Sequence, residues 1–153
     1  MVRLTDLHAA SRTRLSELDC PGYDALPWVQ PPALDRSRIA IVSSAALIRR
    51  GDPVFLSTDA GWRPVPHELP DNELLLSHVS INFDRTGFQQ DAEVALPRRR
   101  LDELAEAGVI GAVGPTHYTF MGSNDPKVLS DTARDIAGRL KAERIDAAIL
   151  VPV

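Results

Sequence analysis

The 153-residue sequence contains a single cysteine, Cys20, so no disulfide can form within the chain. Chains without disulfides are typical of a reducing compartment, and this one is therefore expected in the cytoplasm. No cationic residue or second thiol stands next to Cys20 to favour its thiolate. We therefore interpret Cys20 as an incidental turn residue before Pro21 rather than as a nucleophile.

The sequence also lacks long apolar runs and excess positive charge. No run approaches the roughly 20 apolar residues of a membrane span, and the N-terminus has no apolar signal-peptide core. The net charge is −4 and the isoelectric point is near 5.5, which disfavours binding to nucleic acid or to an anionic membrane. The glycine-rich fingerprints of dinucleotide-binding and P-loop proteins are missing as well. We expect neither nucleic acid nor a membrane as a partner.

The residues that are present suit one globular domain with a short extension. The chain is 44% hydrophobic and 25% charged, which is enough apolar material for a core. Residues 38–153 are predicted to form an α/β domain, and residues 1–37 an N-terminal helix within 4–18 followed by an extended, proline-rich arm. Two interpretations of the arm remain open: Tyr23 and Trp28 pack it onto the domain, or it binds a partner.

Alternating strand and helix patterns predict the fold class. Four short apolar segments are predicted as strands of one buried, mostly parallel sheet: 38–44, 73–79, 109–113 and 145–153. Helices are predicted to begin within 43–47, to span 97–107, and to begin at 122–126. The proline-rich residues between 51 and 73 would form a surface excursion, with edge strands at 54–56 and 62–65. The pattern is that of a doubly wound, three-layer α/β fold of the flavodoxin or Rossmann type.

Three consecutive arginines, Arg98, Arg99 and Arg100, stand in the first turn of the predicted helix 97–107. Positive charge there opposes the helix dipole. Two interpretations remain open: a solvated face on which Asp102 and Glu103 pair with the arginines, or a site for an anion or an acidic partner.

Polar side chains follow two of the predicted strands and form the candidate site. The two loops contain His78, Asn82, Asp84, Arg85, His117 and Tyr118. Because carboxyl ends of neighbouring parallel strands meet at one edge of a sheet, these loops are expected to converge. His78 and His117 are predicted to transfer protons near neutral pH, with Asp84 orienting one of them.

The other polar residues of the candidate site are predicted to bind substrate. Arg85 has the forked donors that suit a carboxylate. Asn82, Tyr118 and Ser44 would add hydrogen bonds, and Ser44 could equally cap a helix. Each residue taken alone could also be a loop residue satisfied by the backbone. The ligand types of a metal site are present in this set, but their spacing matches no compact motif, so no metal is predicted.

Four segments carry a family resemblance: RIAIVSSAAL, SHVSINFDRTGFQQD, LPRRRLDELAEAGVIG and GPTHYTFMG. In this order and spacing they resemble the selenoprotein B family of glycine, sarcosine, betaine and D-proline reductases, and most closely its short, single-domain members. The resemblance implies a doubly wound α/β domain and redox chemistry at selenium or sulfur, by which amino-acid-derived small molecules are reductively cleaved. It also implies a thiol or dithiol protein as electron donor.

The sequence departs from the family pattern at its last residue. In the family, the strand that resembles 146–152 leads directly into a selenocysteine or cysteine, with a second cysteine close by, at the start of a helix that would favour the anionic nucleophile. Here Val153 is the last residue, and Cys20 lies in the wrong segment to replace that nucleophile. Because selenocysteine uses a codon normally read as stop, we expect that the sequence was ended at this codon and that the chain is inactive as it stands. No other cofactor is expected.

Two alternatives to truncation remain open. The protein could be naturally short, with its apolar terminal strand exposed or paired with a second copy in a homo-oligomer. It could also be a non-catalytic module of the same fold that binds a small anion or serves assembly.

Overall fold

The computed structural model describes residues 3–17, 22, 29–80 and 85–153, and the structural statements below concern these residues. Within them the chain forms seven strands and four α-helices. The strands are β1 (Arg38–Ser43), β2 (Leu47–Arg49), β3 (Trp62–Pro66), β4 (Leu74–Leu76), β5 (Ala112–Val113), β6 (Thr116–Phe120) and β7 (Ala147–Val151). The helices are α1 (Ala9–Ser16), α2 (Thr86–Gln90), α3 (Arg98–Glu106) and α4 (Ser130–Ala142).

Strand β1 is the centre of the main sheet. It pairs in parallel with β7 over Ile39 to Ser43. On its other side it pairs in parallel with β5 at its start and with β6 at its end. Strand β3 is added antiparallel to the outer side of β6. The predicted α/β class and mostly parallel sheet are confirmed.

Helices cover both faces of β1, because its apolar side chains alternate between the two sides of the sheet. Ile39 and Ile41 pack in one core cluster with Leu101 of α3. Val42 points to the other face and packs in a separate cluster with Ile136 of α4. Burying each such aliphatic side chain contributes roughly 1.5–3 kcal/mol. This double coverage explains why β1 is apolar along its whole length.

The helix predicted to begin within 43–47 is wrong. Ala46 instead takes a positive φ of 52°, which turns the chain into β2. β2 pairs antiparallel with β4 in a separate two-stranded sheet. The strand predicted at 73–79 therefore exists as β4 but does not belong to the main sheet. The apolar pattern could not tell whether this strand joins the main sheet or the small one, because Leu74 packs into the main core even from the small sheet.

The proline-rich excursion contains one of its two predicted edge strands. β3 lies at 62–65 as expected. Residues 54–56 form no strand: Phe55 is buried with Ile48 and Met121, whereas Val54 and Leu56 are exposed. A single buried aromatic therefore anchors this segment without regular backbone pairing.

Helix α3 matches the segment predicted at 97–107 and is followed by Gly108, with a φ of +68°. Helix α4 begins at Ser130, after a 3₁₀ turn over Pro126–Leu129 that Asp125 caps through the N–H of Lys127. Helix α1 is shorter than predicted, and none of its residues is buried. No helix in the described ranges has the length and apolar character needed to cross a membrane.

Part of the predicted arm lies outside the described residues, including Cys20, Tyr23 and Trp28. Residues 29–33 are exposed and form no regular structure. The division into an arm (1–37) and a domain (38–153) stays a prediction.

Candidate functional site

The carboxyl ends of three strands of the main sheet meet at Ser44, the residue after β1. Its N–H donates to the carbonyl of Val151 in β7 (3.1 Å), and its Oγ accepts the N–H of Val153 (2.8 Å). Its carbonyl accepts the N–H of Gly122, just beyond β6 (3.1 Å). Ser44 is thus fixed between the ends of β6 and β7, at the edge where α/β proteins bind their ligands.

Gly122 permits this close approach. A Cβ at this position would lie 2.6 Å from the Cβ of Ser44 and 2.9 Å from its carbonyl oxygen. Asn124 closes the same turn by donating to the carbonyls of Asp59 (2.8 Å) and Met121 (3.3 Å). The turn after β6 is therefore held rigidly against Ser44.

His78 lies in the loop that follows β4, beside the turn that holds Ser44. The link is Ser77, whose N–H donates to the carbonyl of Ala46 (3.0 Å). The His78 side chain is 7% exposed, and its Nδ1 accepts the N–H of Ser80 (3.2 Å). Burial, with the nearby charge of Arg85, lowers the pKa of His78, so its imidazole is neutral at pH 7.

Arg85 lies with His78, as the sequence predicts, and binds the main chain of the same loop. Its guanidinium donates to the carbonyls of His78 (2.8 Å) and Ser80 (3.2 Å). The remaining predicted residues of this loop, Asn82 and Asp84, lie outside the described residues. Their roles stay predictions.

His117 and Tyr118 were expected in a loop, and the structure places them in β6 instead. Gly114 and Pro115 suggest the end of a strand, but they lie between two strand segments, β5 and β6, that both pair with β1. Adjacent strand residues point to opposite faces, so the two side chains are buried on opposite sides of the sheet.

Tyr118 faces α4. Its hydroxyl donates to Oε1 of Glu143 (2.9 Å), and its ring makes an edge contact with Trp62. Burial and the Glu143 carboxylate raise the pKa of Tyr118, so the phenol stays protonated. It is held beneath α4 in the interior rather than at the edge around Ser44.

His117 faces α3 and belongs to a chain of three hydrogen-bonded side chains. Its Nδ1 accepts the N–H of Ile41 (3.0 Å), which places the proton of the neutral ring on Nε2. Nε2 then donates to Nδ1 of His67 (3.0 Å), and Nε2 of His67 donates to Oδ1 of Asp102 (2.8 Å). The backbone donor at Ile41 therefore fixes both imidazole tautomers.

This environment strongly favours neutral His117. Burial, followed by the charges of His67 and Arg98, lowers the pKa of His117 to about 3. In the described part of the chain, no hydrogen bond joins His117 to His78. The proton-transfer role predicted for His117 and the predicted convergence of the two imidazoles stay predictions.

His67, Asp102 and the buried Arg98 were not predicted as members of one cluster. Arg98 is 5% exposed and donates to the carbonyls of Pro66, His67 and Leu69 (3.3, 2.8 and 2.6 Å). A lone histidine in a proline-rich segment gives no sequence signal for such a contact.

The solvated-face interpretation of the arginine run is wrong for Arg98, which also pairs with Asp71 (2.7 Å). It is right for Arg100, which is exposed and pairs with Glu103 (2.8 Å). In the described ranges, no group of three or more His, Cys, Asp or Glu side chains is arranged to hold a metal ion.

Comparison with known proteins identifies the family. Residues 10–153 match the family model described as glycine/sarcosine/betaine reductase selenoprotein B. The chain is 30% identical over 115 residues to the D-proline reductase subunit gamma of Acetoanaerobium sticklandii, covering 73% of this chain and 47% of that protein. It is 29% identical over 142 residues to the glycine reductase complex component B subunit gamma of Symbiobacterium thermophilum, covering 88% and 33%.

A similar match, 27% over 143 residues, joins the chain to the glycine reductase complex component B subunit gamma of Carboxydothermus hydrogenoformans, covering 88% and 32%. The chain thus spans about a third to a half of the length of the curated relatives it matches. No solved structure matches it. Because the family model covers nearly the whole sequence, the chain belongs to the glycine/sarcosine/betaine reductase selenoprotein B family.

Proposed function

We propose that this chain forms the domain of a selenol- or thiol-dependent reductase in which an amino-acid-derived substrate is reductively cleaved at the edge around Ser44. The observation that carries the proposal is the hydrogen bond between Ser44 Oγ and the N–H of Val153. It fixes the segment leaving β7 at the edge where the strands β1, β6 and β7 end. A redox residue on that segment would enter the crevice in which α/β folds bind their ligands.

The residues around this edge suit the proposed chemistry. A selenolate or thiolate at the start of a helix is favoured by the helix dipole. Neutral His78 can accept a proton near pH 7, with Asp84 orienting it. We assign Arg85, Asn82 and Ser44 to substrate binding, and a dithiol protein, oxidised to its disulfide, to the supply of two electrons.

The exposure of β7 supports a further segment packed against this strand. Ile149 is 40% exposed and Leu150 is 72% exposed, although the strand sequence AAILV is that of a strand buried on both faces. We propose that the segment carrying the redox residue covers β7 and completes a doubly wound sheet of the flavodoxin or Rossmann type. The proline-rich residues before β1 would remain an extended arm, and the complex would work in the reducing cytoplasm.

The one thiol of residues 1–153 is that of Cys20, which lies in the wrong segment to serve as the redox residue, so we propose that these residues are inactive alone. The test extends the chain past Val153 by whatever segment the gene is found to encode there, with cysteine at the proposed redox position, and compares both forms. Dithiol-dependent reduction of amino-acid-derived substrates is expected only from the extended form. The pH dependence of alkylation of the new thiol gives a readout that needs no partner subunit.

A matched pair of variants ties the activity to the edge. Ser44→Val in the extended form should slow reduction, whereas Ser123→Val, an exposed serine one residue beyond Gly122, should not. A folded extended form that reduces no substrate, and whose thiol reacts as an ordinary cysteine does, would refute the catalytic proposal.

The second candidate function is a non-catalytic module that binds a small anion or serves assembly. Among the described residues β7 pairs with β1 on one side only, and this favours assembly, since an unpaired strand edge accepts a partner strand. Two relatives are named as subunits of a glycine reductase complex. If a partner subunit covers β7, mixing the two proteins should protect the outward amides of β7 from hydrogen exchange without any redox segment.

A further inference from the structure

A second polar cleft lies at the opposite end of β1 from Ser44. It has a volume of about 530 Å³ and is lined by Arg36, Arg38, Arg144, Asp35, Asp146 and Gly111. Six residue steps along β1 separate Arg38 from Ser44, which is about 20 Å at the usual rise of a strand. The cleft is therefore distinct from the proposed redox edge, and nothing argued so far gives it a role.

The cleft concentrates positive charge on a chain whose net charge is −4. Among the described residues, no ion pair within 4.0 Å involves Arg36, Arg38 or Arg144. Arg38 donates from one nitrogen to the carbonyl of Glu143 (3.2 Å), which leaves its other donors for a ligand. Three guanidinium groups without a carboxylate partner are an anion-binding arrangement.

Arg144 stands at a backbone position that normally selects glycine. Its φ is +56°, and it follows α4 in a turn closed by the bonds from Arg144 N–H to Lys141 O (3.0 Å) and from Ile145 N–H to Leu140 O (2.9 Å). Glycine takes this left-handed conformation without the steric cost that arginine has there. Backbone strain of this kind clusters at functional sites, which motivates a role for the Arg144 guanidinium.

The opposite wall of the cleft is built by close backbone packing. A Cβ at Gly111 would lie 2.7 Å from the carbonyl carbon of Arg36 and 3.0 Å from the carbonyl oxygen of Asp35. Oδ2 of Asp146 accepts the N–H of Arg38 (2.8 Å), which orients that carboxylate. The cleft therefore presents one oriented carboxylate, Asp146, and the carboxylate of Asp35 beside its three cationic donors.

From this arrangement we infer that the cleft binds a small organic phosphate monoester. The guanidinium groups donate to the phosphoryl oxygens, and Asp35 or Asp146 accepts a hydrogen bond from a protonated phosphate oxygen. Below its second pKa of about 6 a phosphate monoester keeps such a proton, which sulfate lacks, so the carboxylates then repel sulfate without compensation. The two anions are therefore compared below about pH 6. The volume leaves room for an organic group beyond the phosphate.

The test is isothermal titration of the 153-residue protein with inorganic phosphate at constant ionic strength, with sodium sulfate as the comparison anion. Arg144→Gly removes the guanidinium while suiting the backbone, so the variant should fold. It should weaken phosphate binding about tenfold or more, as expected for the loss of one charge-assisted hydrogen bond. Arg134→Gln removes an exposed arginine on α4 that pairs with Asp131, and should leave binding unchanged.

Three outcomes would overturn the inference: no saturable binding of phosphate, equal binding by the wild type and Arg144→Gly, or equal affinity for sulfate and phosphate. None of these measurements requires a redox segment or a substrate. Failure here would therefore leave the reductase proposal untouched, and failure of the reductase proposal would leave this one intact.

Discussion

Acid should destabilise this fold through His117, because the folded chain holds that imidazole neutral far below its ordinary pKa. In the unfolded chain the ring takes up a proton as the pH falls through 6.5, whereas in the folded chain it does so only near pH 3. The unfolded state therefore binds more protons between these two values. The stabilisation is fully present above pH 6.5 and is lost progressively as the pH falls towards 3.

The size of the effect follows from the same two values. Each pH unit below 6.5 costs about 1.4 kcal/mol of unfolding free energy, so a shift from pH 7.5 to 5.0 should remove about 2 kcal/mol. A domain of this size has a total stability of roughly 5–15 kcal/mol. The predicted loss is therefore easily measured. His78 titrates in the same direction, since its pKa is also lowered.

Urea unfolding at pH 7.5, 6.0 and 5.0, followed by circular dichroism, isolates the contribution of His117 when the wild type is compared with His117→Gln. The variant should be less stable by about 1–3 kcal/mol at pH 7.5, because glutamine leaves one buried partner of the imidazole unsatisfied. Between pH 7.5 and 5.0, the variant should lose about 2 kcal/mol less unfolding free energy than the wild type loses. His8→Gln, which removes an exposed histidine, serves as the control. Equal pH dependence in the wild type and His117→Gln would refute the reasoning.

Three substitutions test other parts of the structure. Arg98→Ala should lower the urea unfolding free energy by about 3 kcal/mol, because it leaves three carbonyls without their buried donor. Arg99 is exposed, so Arg99→Ala should change the unfolding free energy by less than about 1 kcal/mol. Arg144→Gly should raise the unfolding free energy by about 1 kcal/mol by relieving the left-handed backbone; a lower melting temperature would contradict this. Gly122→Ala should cost about 1–3 kcal/mol, because the new Cβ would contact Ser44. It should also speed hydrogen exchange at the N–H of Val153, which donates to Ser44 Oγ, and unchanged exchange would argue against the close approach.

The sequence predicted the main sheet where the chemistry of a segment allowed one outcome. An apolar segment such as 38–43, with β-branched residues on both faces, satisfies its burial only as a central strand, and β1 is that strand. The boundaries of α3 followed from Pro97 and Gly108, each of which suits one end of a helix. These local signals do not depend on distant contacts.

The sequence could not predict which residues meet through the sheet. Whether Leu74–Leu76 pairs with β1 or with β2 depends on a backbone turn at Ala46, and alanine gives no signal for a positive φ. His117 and Tyr118 look like loop residues after Gly114 and Pro115, yet the pairing of β6 with β1 makes them interior. The contact between His67 and His117 joins segments that only the antiparallel pairing of β3 with β6 brings together.

The two polar regions of this domain differ in how far the described residues enclose them. At the amino end of β1, the arginine-lined cleft has walls built entirely from described residues, including the tight contact between Gly111 and Arg36. At the carboxyl end, Ser44 and Gly122 lie in close contact, and β7 beside them leaves Leu150 largely exposed. A redox residue needs a site shielded from water so that its electrons reach the substrate alone. If both proposals hold, the carboxyl edge should catalyse reduction only when another segment covers β7, whereas the amino-end cleft should bind phosphate in the domain alone.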